Sequence, residues 1–371
     1  MAIRVAINGF GRIGRAFTRL SRGRGIEIVA VNDLGTLENL AYLLKYDTVY
    51  KRAPFSVEAK NGALWIDGKE VKFLSEKDPT HLPWKDLDID VVVESTGFFT
   101  DYEKAQAHIT AGAKRVVITA PVKTAASSLG ATVLMGVNEE KLASCQITSN
   151  ASCTTNSASP LIAILDEAIG IEKAILSTTH AYTASQSIVD GPAKKDMKEG
   201  RAAAQNIVPT TTGAAVAVTQ AYESLAGKFD GISLRVPVPA GSIVDITFIS
   251  KRPTTRDEVN EALRGAAAAP RWAGIFSTTD EELVSSDILG EPFASIADLG
   301  MTRVIDGNLV KVLAWYDNEA GYTESLVRHV IAASAAMTQN RTDVSAGVET
   351  SSDSAPGAAS DSAPAPAAEN A

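Results

Sequence analysis

The chain has 371 residues, 45% of them hydrophobic, with 35 Lys+Arg against 44 Asp+Glu for a net charge of −9. That length suits about two domains, each able to build its own core. Two cysteines cannot form a disulfide framework, the acidic balance argues against nucleic acid as the main partner, and no run approaches the roughly 18 consecutive apolar residues of a membrane span.

The N-terminus, Met1-Ala2-Ile3-Arg4, enters a strand directly with no apolar signal region, which points to the cytoplasm. Ile3, Val5 and Ile7 alternate with Arg4 and Ala6; Gly9-Phe10-Gly11-Arg12-Ile13-Gly14 follows, and then Ala16, Phe17 and Leu20 recur at helical spacing. This reads as strand, glycine turn and helix. A second apolar run, Ile26 to Val31, ends in Asn32-Asp33, and Asp33 lies 19 residues beyond Gly14. That is the spacing at which a dinucleotide fold sets a carboxylate on the ribose hydroxyls. Gly9, Gly11 and Gly14 let the backbone approach a pyrophosphate, whose charge then meets the free N–H groups of the helix. A carboxylate at Asp33 repels a 2′-phosphate, so NAD is favoured over NADP; the bland alternative is that Asp33 caps a helix over Leu34 to Leu44. Further buried strands, Val91 to Val93 and Val116 to Ile118, run into Glu94-Ser95-Thr96-Gly97 and Thr119-Ala120-Pro121. Strand ends are where an open parallel sheet binds its ligand. Residues 1–152 are therefore expected to form a doubly wound α/β domain.

The chemistry begins at Ser149-Asn150-Ala151-Ser152-Cys153-Thr154-Thr155-Asn156, just before an apolar helical run. A helix N-terminus stabilises a thiolate, and a neighbouring imidazolium lowers the thiol pKa further, so Cys153 is the candidate nucleophile. Pro160 within this run predicts a kink or a later helix start. Cys145 reads as an inert core residue on a strand. Among four histidines, His180 is the candidate base, because it closes the apolar strand Ala174 to Thr179 where a strand end opens on a cleft; spacing alone favours the bland alternative, a structural histidine. Two segments read as anion sites or, more blandly, as a helix cap and an edge cation: Thr210-Thr211-Thr212-Gly213 ahead of a helical stretch, and Arg235 within Ile232 to Val236. No metal-ligand set is read. After Asn340 there is no aromatic, Leu, Ile or Met, and Asp343, Glu349, Asp353, Asp361 and Glu369 face only Arg341. Residues 341–371 are expected to be a disordered tail.

Taken together, Asn8 to Arg15, Ser149 to Asn156, Pro209 to Ala215, Arg235-Val236-Pro237 and Trp315-Tyr316-Asp317-Asn318-Glu319 resemble the glyceraldehyde-3-phosphate dehydrogenase family from Ile3 to about Met337. The resemblance implies a Rossmann NAD-binding domain, 1–152, completed by a last helix at 317–338. It also implies an α+β catalytic domain, 153–316, with a mixed or antiparallel sheet, and a homotetramer. It implies NAD contacts at Arg12, Ile13, Asp33, Lys77, Thr119 and Asn318, beside the strand-end residues Thr96 and Gly97. It implies a site for attacking phosphate at Ser152, Thr154, Thr212 and Gly213, and one for the substrate's phosphate at Thr183 and Arg235. Cys153 would attack glyceraldehyde 3-phosphate, and inorganic phosphate would release 1,3-bisphosphoglycerate from the resulting thioester.

The chain departs from the family pattern at Ser185, where an acid is usual, at Lys198 for arginine, at Val216 for lysine and at Ala320 for tryptophan. Lys198 keeps a charge without the bidentate fork of arginine, so it enters as a weaker phosphate candidate. Three alternatives stand beside the leading reading: erythrose-4-phosphate dehydrogenase, a thiol hydrolase built on Cys153 and His180, and a catalytically silent binding protein.

Overall fold

The computed structural model describes residues 2–193 and 196–348, with 338–348 as backbone alone. Its described helices are Arg12–Leu20 (α1), Leu37–Lys45 (α2), Tyr102–Thr110 (α3), Cys153–Ala168 (α4), Ala214–Ala221 (α5), Arg256–Ala268 (α6) and Ala320–Val348 (α7).

The first sheet runs in the order Gly130–Thr132, Ile147–Ser149, Arg115–Ile118, Val91–Glu94, Ile3–Asn8, Ile26–Asn32, Lys69–Leu74, Ala63–Ile66, Val57–Lys60. The strands from Gly130–Thr132 through Lys69–Leu74 are parallel, and the last two add an antiparallel edge. Valine and isoleucine fill the central strands because a parallel sheet is covered on both faces. On one face Val5, Ile7 and Val31 pack with Phe17 of α1 and with Leu326, Val327 and Val330 of α7. On the other, Val92 and Val116 pack with Trp84, Ile89 and the α3 residues Tyr102 and Ala105. The chain reverses its direction of sheet growth between Ile3–Asn8 and Val91–Glu94, and that switch point is where such a sheet opens a ligand crevice.

The second sheet is mixed, in the order Val208–Thr211, Phe229–Val236, Ile171–Ala181, Ser242–Ser250, Leu309–Tyr316, Ser295–Ile305, Phe276–Thr279. Strict alternation of buried and part-buried residues along Ser242–Ser250 shows why: one face, carrying Val244, Ile246 and Phe248, is covered by α4, α5 and α6. Outside those helices, Ile175, Ile232 and Leu309 remain exposed.

Three local expectations are corrected. Helix α4 starts at Cys153 and runs through Pro160 without a later start, because burial on all sides from Thr154 to Leu165 outweighs the missing backbone hydrogen bond. Cys145 is buried but lies in the loop before Ile147–Ser149, not on a strand. Helix α7 extends to Val348, past the expected end at 337–338 and into the first residues of the expected tail, since no proline interrupts it before Pro356. The rest of that tail lies outside the described residues.

Candidate active site

The glycine turn has the geometry its residues promise. Gly9 sits at φ +93°, and a Cβ there would lie 2.6 Å from the Thr96 amide, so only glycine lets strand Ile3–Asn8 pass this close to the neighbouring strand end. A Cβ on Gly14 would strike the Gly9 carbonyl and the Ile7 side chain. Gly11 caps α1 with no side-chain hydrogen bond, which leaves the amides of Arg12 and the half-buried Ile13 at an open helix N-terminus.

Beside this turn is a cavity of about 430 Å³ that brings together Gly9, Gly11, Asp33, Lys77 and Thr96, walled by Leu34 and Phe98. The Asp33 carboxylate accepts the N–H of Phe10 at 2.7 Å and of Gly35 at 2.8 Å. Asp33 therefore faces the glycine turn and does not cap α2, which begins after Thr36. A carboxylate held at the rim, an uncapped helix N-terminus and a glycine cradle that a Cβ would fill suit a dinucleotide. Gly97 is exposed next to Thr96, and Thr119 lies one residue beyond strand Arg115–Ile118 with its N–H on Glu94 O.

The Arg12 side chain does not reach into this cleft as a free cation. Its guanidinium is clamped by Glu319 at the start of α7 and by Asp47 at 2.5 Å, and these two carboxylates hold its pKa well above the usual value. What Arg12 offers a cofactor is its backbone N–H.

Asn318 is buried, and its Oδ1 accepts the Gly241 N–H at 3.0 Å and the Ser242 hydroxyl at 3.1 Å. The Nδ2 side of that amide can only donate. The Ser242 oxygen also accepts the Ala181 N–H at 3.1 Å, so Asn318 is tied to the strand that carries His180.

Cys153 occupies the first position of α4, whose cap is Ser152 Oγ accepting the Thr155 N–H at 3.1 Å. Ala151 precedes the cap at φ +52°, a left-handed conformation held by Ser149 Oγ on its N–H and Tyr322 OH on its carbonyl. The Cys153 Sγ lies 3.2 Å from His180 Nε2. His180 Nδ1 meets Ala181 O at 2.6 Å and Arg235 Nη1 at 2.7 Å.

Electrostatics here oppose the expected thiolate–imidazolium pair. Burial, and then the Arg235 guanidinium, push His180 down to about 3. Burial likewise pushes the Cys153 thiol up, more than Arg235 and the Thr154 N–H and hydroxyl pull it down. Burial thus works against charge on both members of the pair. The Arg235 N–H, which can only donate, and the Ala181 carbonyl, which can only accept, ask opposite tautomers of Nδ1; in the one whose Nδ1–H is donated to Ala181 O, Nε2 presents a lone pair to the thiol proton.

The anion candidates divide. Thr212 and Gly213 stand at the start of α5, with Thr212 Oγ1 accepting the Ala214 N–H at 3.2 Å. Ser152 is at the α4 cap. The Thr154 hydroxyl is buried on Tyr316 OH at 2.9 Å, and both it and the Thr154 N–H bear on the Cys153 thiol. Arg235 is beside His180, while Thr183 bonds Ser185 Oγ at 3.1 Å a few residues beyond that strand. Lys198 is exposed and pairs with Asp196 at 3.6 Å; among the described residues no contact brings it to Arg235 or Thr183. Also among the described residues, no group of three or more His, Cys, Asp or Glu is placed to hold a metal ion, and no helix is long and apolar enough to cross a membrane.

Sequence reasoning named Glu94 only as a strand end, met Asn8 and Asn32 only as neighbours of the glycine turn and of Asp33, and gave Glu76 and Phe98 no role. These residues line the cavity or brace it from below. A signal existed for Glu94, since an acid closing an all-valine strand is rarely left without partners.

A Rossmann crevice in the first sheet, together with a cysteine–histidine pair at a helix start, is the make-up of a nicotinamide-dependent oxidoreductase. Family models agree: residues 3–102 match the glyceraldehyde 3-phosphate dehydrogenase NAD binding domain, and residues 152–318 match the C-terminal domain of the same enzyme. The chain is 49% identical over 331 residues to glyceraldehyde-3-phosphate dehydrogenase 2 of Streptomyces avermitilis and to glyceraldehyde-3-phosphate dehydrogenase of Streptomyces coelicolor, covering 88% of this chain and 97% of each relative. It is 47% identical, with the same coverage, to glyceraldehyde-3-phosphate dehydrogenase 2 of Streptomyces arenae. The chain belongs to the glyceraldehyde-3-phosphate dehydrogenase family, and it is an NAD-dependent oxidoreductase.

Proposed function

We propose that this chain is a cytoplasmic, homotetrameric enzyme that oxidises glyceraldehyde 3-phosphate to 1,3-bisphosphoglycerate with NAD and inorganic phosphate. The observation that carries the reading is the 3.2 Å approach of Cys153 Sγ to His180 Nε2 at the N-terminus of α4. His180 Nε2 takes the thiol proton as sulfur attacks the aldehyde carbon and passes it to the carbonyl oxygen, giving a hemithioacetal and a neutral imidazole. The Cys153 N–H and the His180 side chain stabilise the developing oxyanion. When bound, NAD supplies the hydride acceptor that converts this adduct to a thioester on Cys153. His180 removes the hydroxyl proton, and Asn318 Nδ2 orients the nicotinamide amide. Phosphate held at Ser152, the Thr154 N–H, Thr212 and Gly213 attacks the thioester and frees the thiol.

Arg235 and Thr183 take the substrate's own phosphate, with Lys198 as a further candidate cation. A bound dianion offsets the Arg235 charge beside His180 Nδ1, one of the two causes that hold the imidazole neutral. Substrate binding therefore makes His180 a better base. Asp33, Lys77, Thr96, Gly97 and Thr119 serve the adenosine side of the cofactor, and Arg12 and Ile13 serve the pyrophosphate through their N–H groups. The tetramer is supported by Ile175, 57% exposed, and Ile232, 51% exposed, on the uncovered side of the second sheet.

The test is NADH formation with glyceraldehyde 3-phosphate and with erythrose 4-phosphate, each with and without phosphate, and with NADP in place of NAD. Phosphate-dependent turnover of glyceraldehyde 3-phosphate with NAD, abolished in Cys153→Ala, is the expected result. Phosphate-independent turnover that favours erythrose 4-phosphate, or a strong NADP preference, would overturn it.

A further inference from the structure

Beneath the cofactor cavity is a buried polar chain that the catalytic steps leave unused. Glu94 is 2% exposed and His108 is fully buried. A carboxylate in such a place is tolerated only if its oxygens are paired. Oε2 accepts Asn8 Nδ2 at 2.6 Å and stands 3.0 Å from His108 Nε2. Oε1 accepts the Thr96 N–H at 2.8 Å and the Thr96 hydroxyl at 2.5 Å. On the far side of the imidazole, Trp84 Nε1 lies 3.0 Å from His108 Nδ1. An indole N–H can only donate, so Nδ1 accepts, and the ring proton sits on Nε2 and is donated to Glu94.

Each bond continues to a wall of the cavity. The Thr96 hydroxyl oxygen accepts the Phe98 N–H at 3.1 Å, and the Phe99 ring stands edge-on to His108 at 6.0 Å. In the other direction, Asn8 Oδ1 accepts Asn32 Nδ2 at 2.7 Å. Asn32 then clasps the Glu76 backbone on both sides, at 2.8 Å to its N–H and 2.9 Å to its carbonyl, one residue before Lys77. One carboxylate thus registers the ends of three parallel strands and the loops that form both sides of the cavity.

We propose that Glu94 and His108 are positioning residues for cofactor binding: through Thr96 and through Asn8–Asn32 they set the separation of the Phe98 wall from the Lys77 wall. This rests on reading the cavity as the adenosine end of the NAD site. Glu94→Gln puts an amide donor against donors already in place, and His108→Leu removes one donor and leaves the Trp84 N–H unpaired.

The experiment measures ADP-ribose binding by calorimetry, steady-state kinetics in both substrates and the apo melting temperature, for Glu94→Gln, His108→Leu and the conservative His108→Gln. The expected result is an increase of about tenfold in the ADP-ribose Kd and the NAD KM for Glu94→Gln and His108→Leu. His108→Gln recovers part of the loss, while kcat and the KM for glyceraldehyde 3-phosphate stay within about twofold. A lowered melting temperature with unchanged ADP-ribose Kd, or equal losses in both substrates, would overturn the proposal. If Glu94→Gln does not fold, the His108 pair decides by the same criteria. Asp33→Ala in the same series separates the two readings: if it leaves ADP-ribose binding intact, the cavity is not the adenosine end.

Discussion

Burial holds both His180 and His329 at about 3, with Arg235 adding to the effect on the first and Arg115 on the second. In the unfolded chain each returns to about 6.5. Between those values the unfolded state binds protons that the folded state refuses, so stability falls as pH drops from about 6.5 toward 3, by up to about 1.4 kcal/mol per pH unit for each group. His329 is fully buried between Thr148 Oγ1 at 2.8 Å and Asn150 Oδ1 at 3.1 Å, away from the chemistry. Replacing it with Gln keeps a polar group there and removes the titration. Urea unfolding of His329→Gln at pH 6.5, 5.5 and 4.5 is expected to show a slope shallower by about one proton, and an unchanged slope would mean that His329 is charged in the folded state. Single residues differ in how far sequence reveals them. Cys153 is legible because small polar neighbours and a following apolar helix place it at a helix start. The His180 ring state is not, because it depends on Arg235 from another strand.

Helix α4 is where element and chemistry meet. The left-handed Ala151, the Ser152 cap and the first-turn thiol form one unit, so the aim of Cys153 Sγ at His180 depends on how the helix begins. Ser152→Ala removes the acceptor for the Thr155 N–H and is expected to cost about 1 kcal/mol of stability, lowering the thermal midpoint by a few degrees in scanning calorimetry. Alkylation of Cys153 by iodoacetamide should slow in parallel. A variant with unchanged midpoint would show that Thr155 finds another partner. The glycine turn and its helix could be read from sequence because their periodicities are local. The continuity of α4 through Pro160 could not, since what overrides the proline is packing from strands far along the chain. For the same reason the Glu94–His108 pairing, bridging a strand end and a separate helix, leaves only the faint trace of an acid closing a valine run.

At the scale of the molecule, α7 carries the chain from the second sheet back onto the first, and Arg12 of α1 meets Glu319 there, which ties the end of the second sheet to the glycine turn of the first. The helices cover only one side of the second sheet. On the other, Ile175 and Ile232 lie on neighbouring strands near Thr247 and the Asp245–Lys311 ion pair. A sheet can keep a solvated face, but that face is normally polar, and two exposed isoleucines beside a groove of about 810 Å³ argue for a covered one. A charge at either isoleucine would have to be buried unpaired on association, which costs several kcal/mol per contact in a symmetric assembly. Sedimentation equilibrium is therefore expected to give four times the subunit mass for the unaltered chain and a smaller assembly for Ile175→Glu combined with Ile232→Glu, with the far-ultraviolet circular dichroism of the fold retained. If the double variant keeps the full mass, copies meet through another surface; if the unaltered chain sediments as a single subunit, the exposed isoleucines need a different explanation.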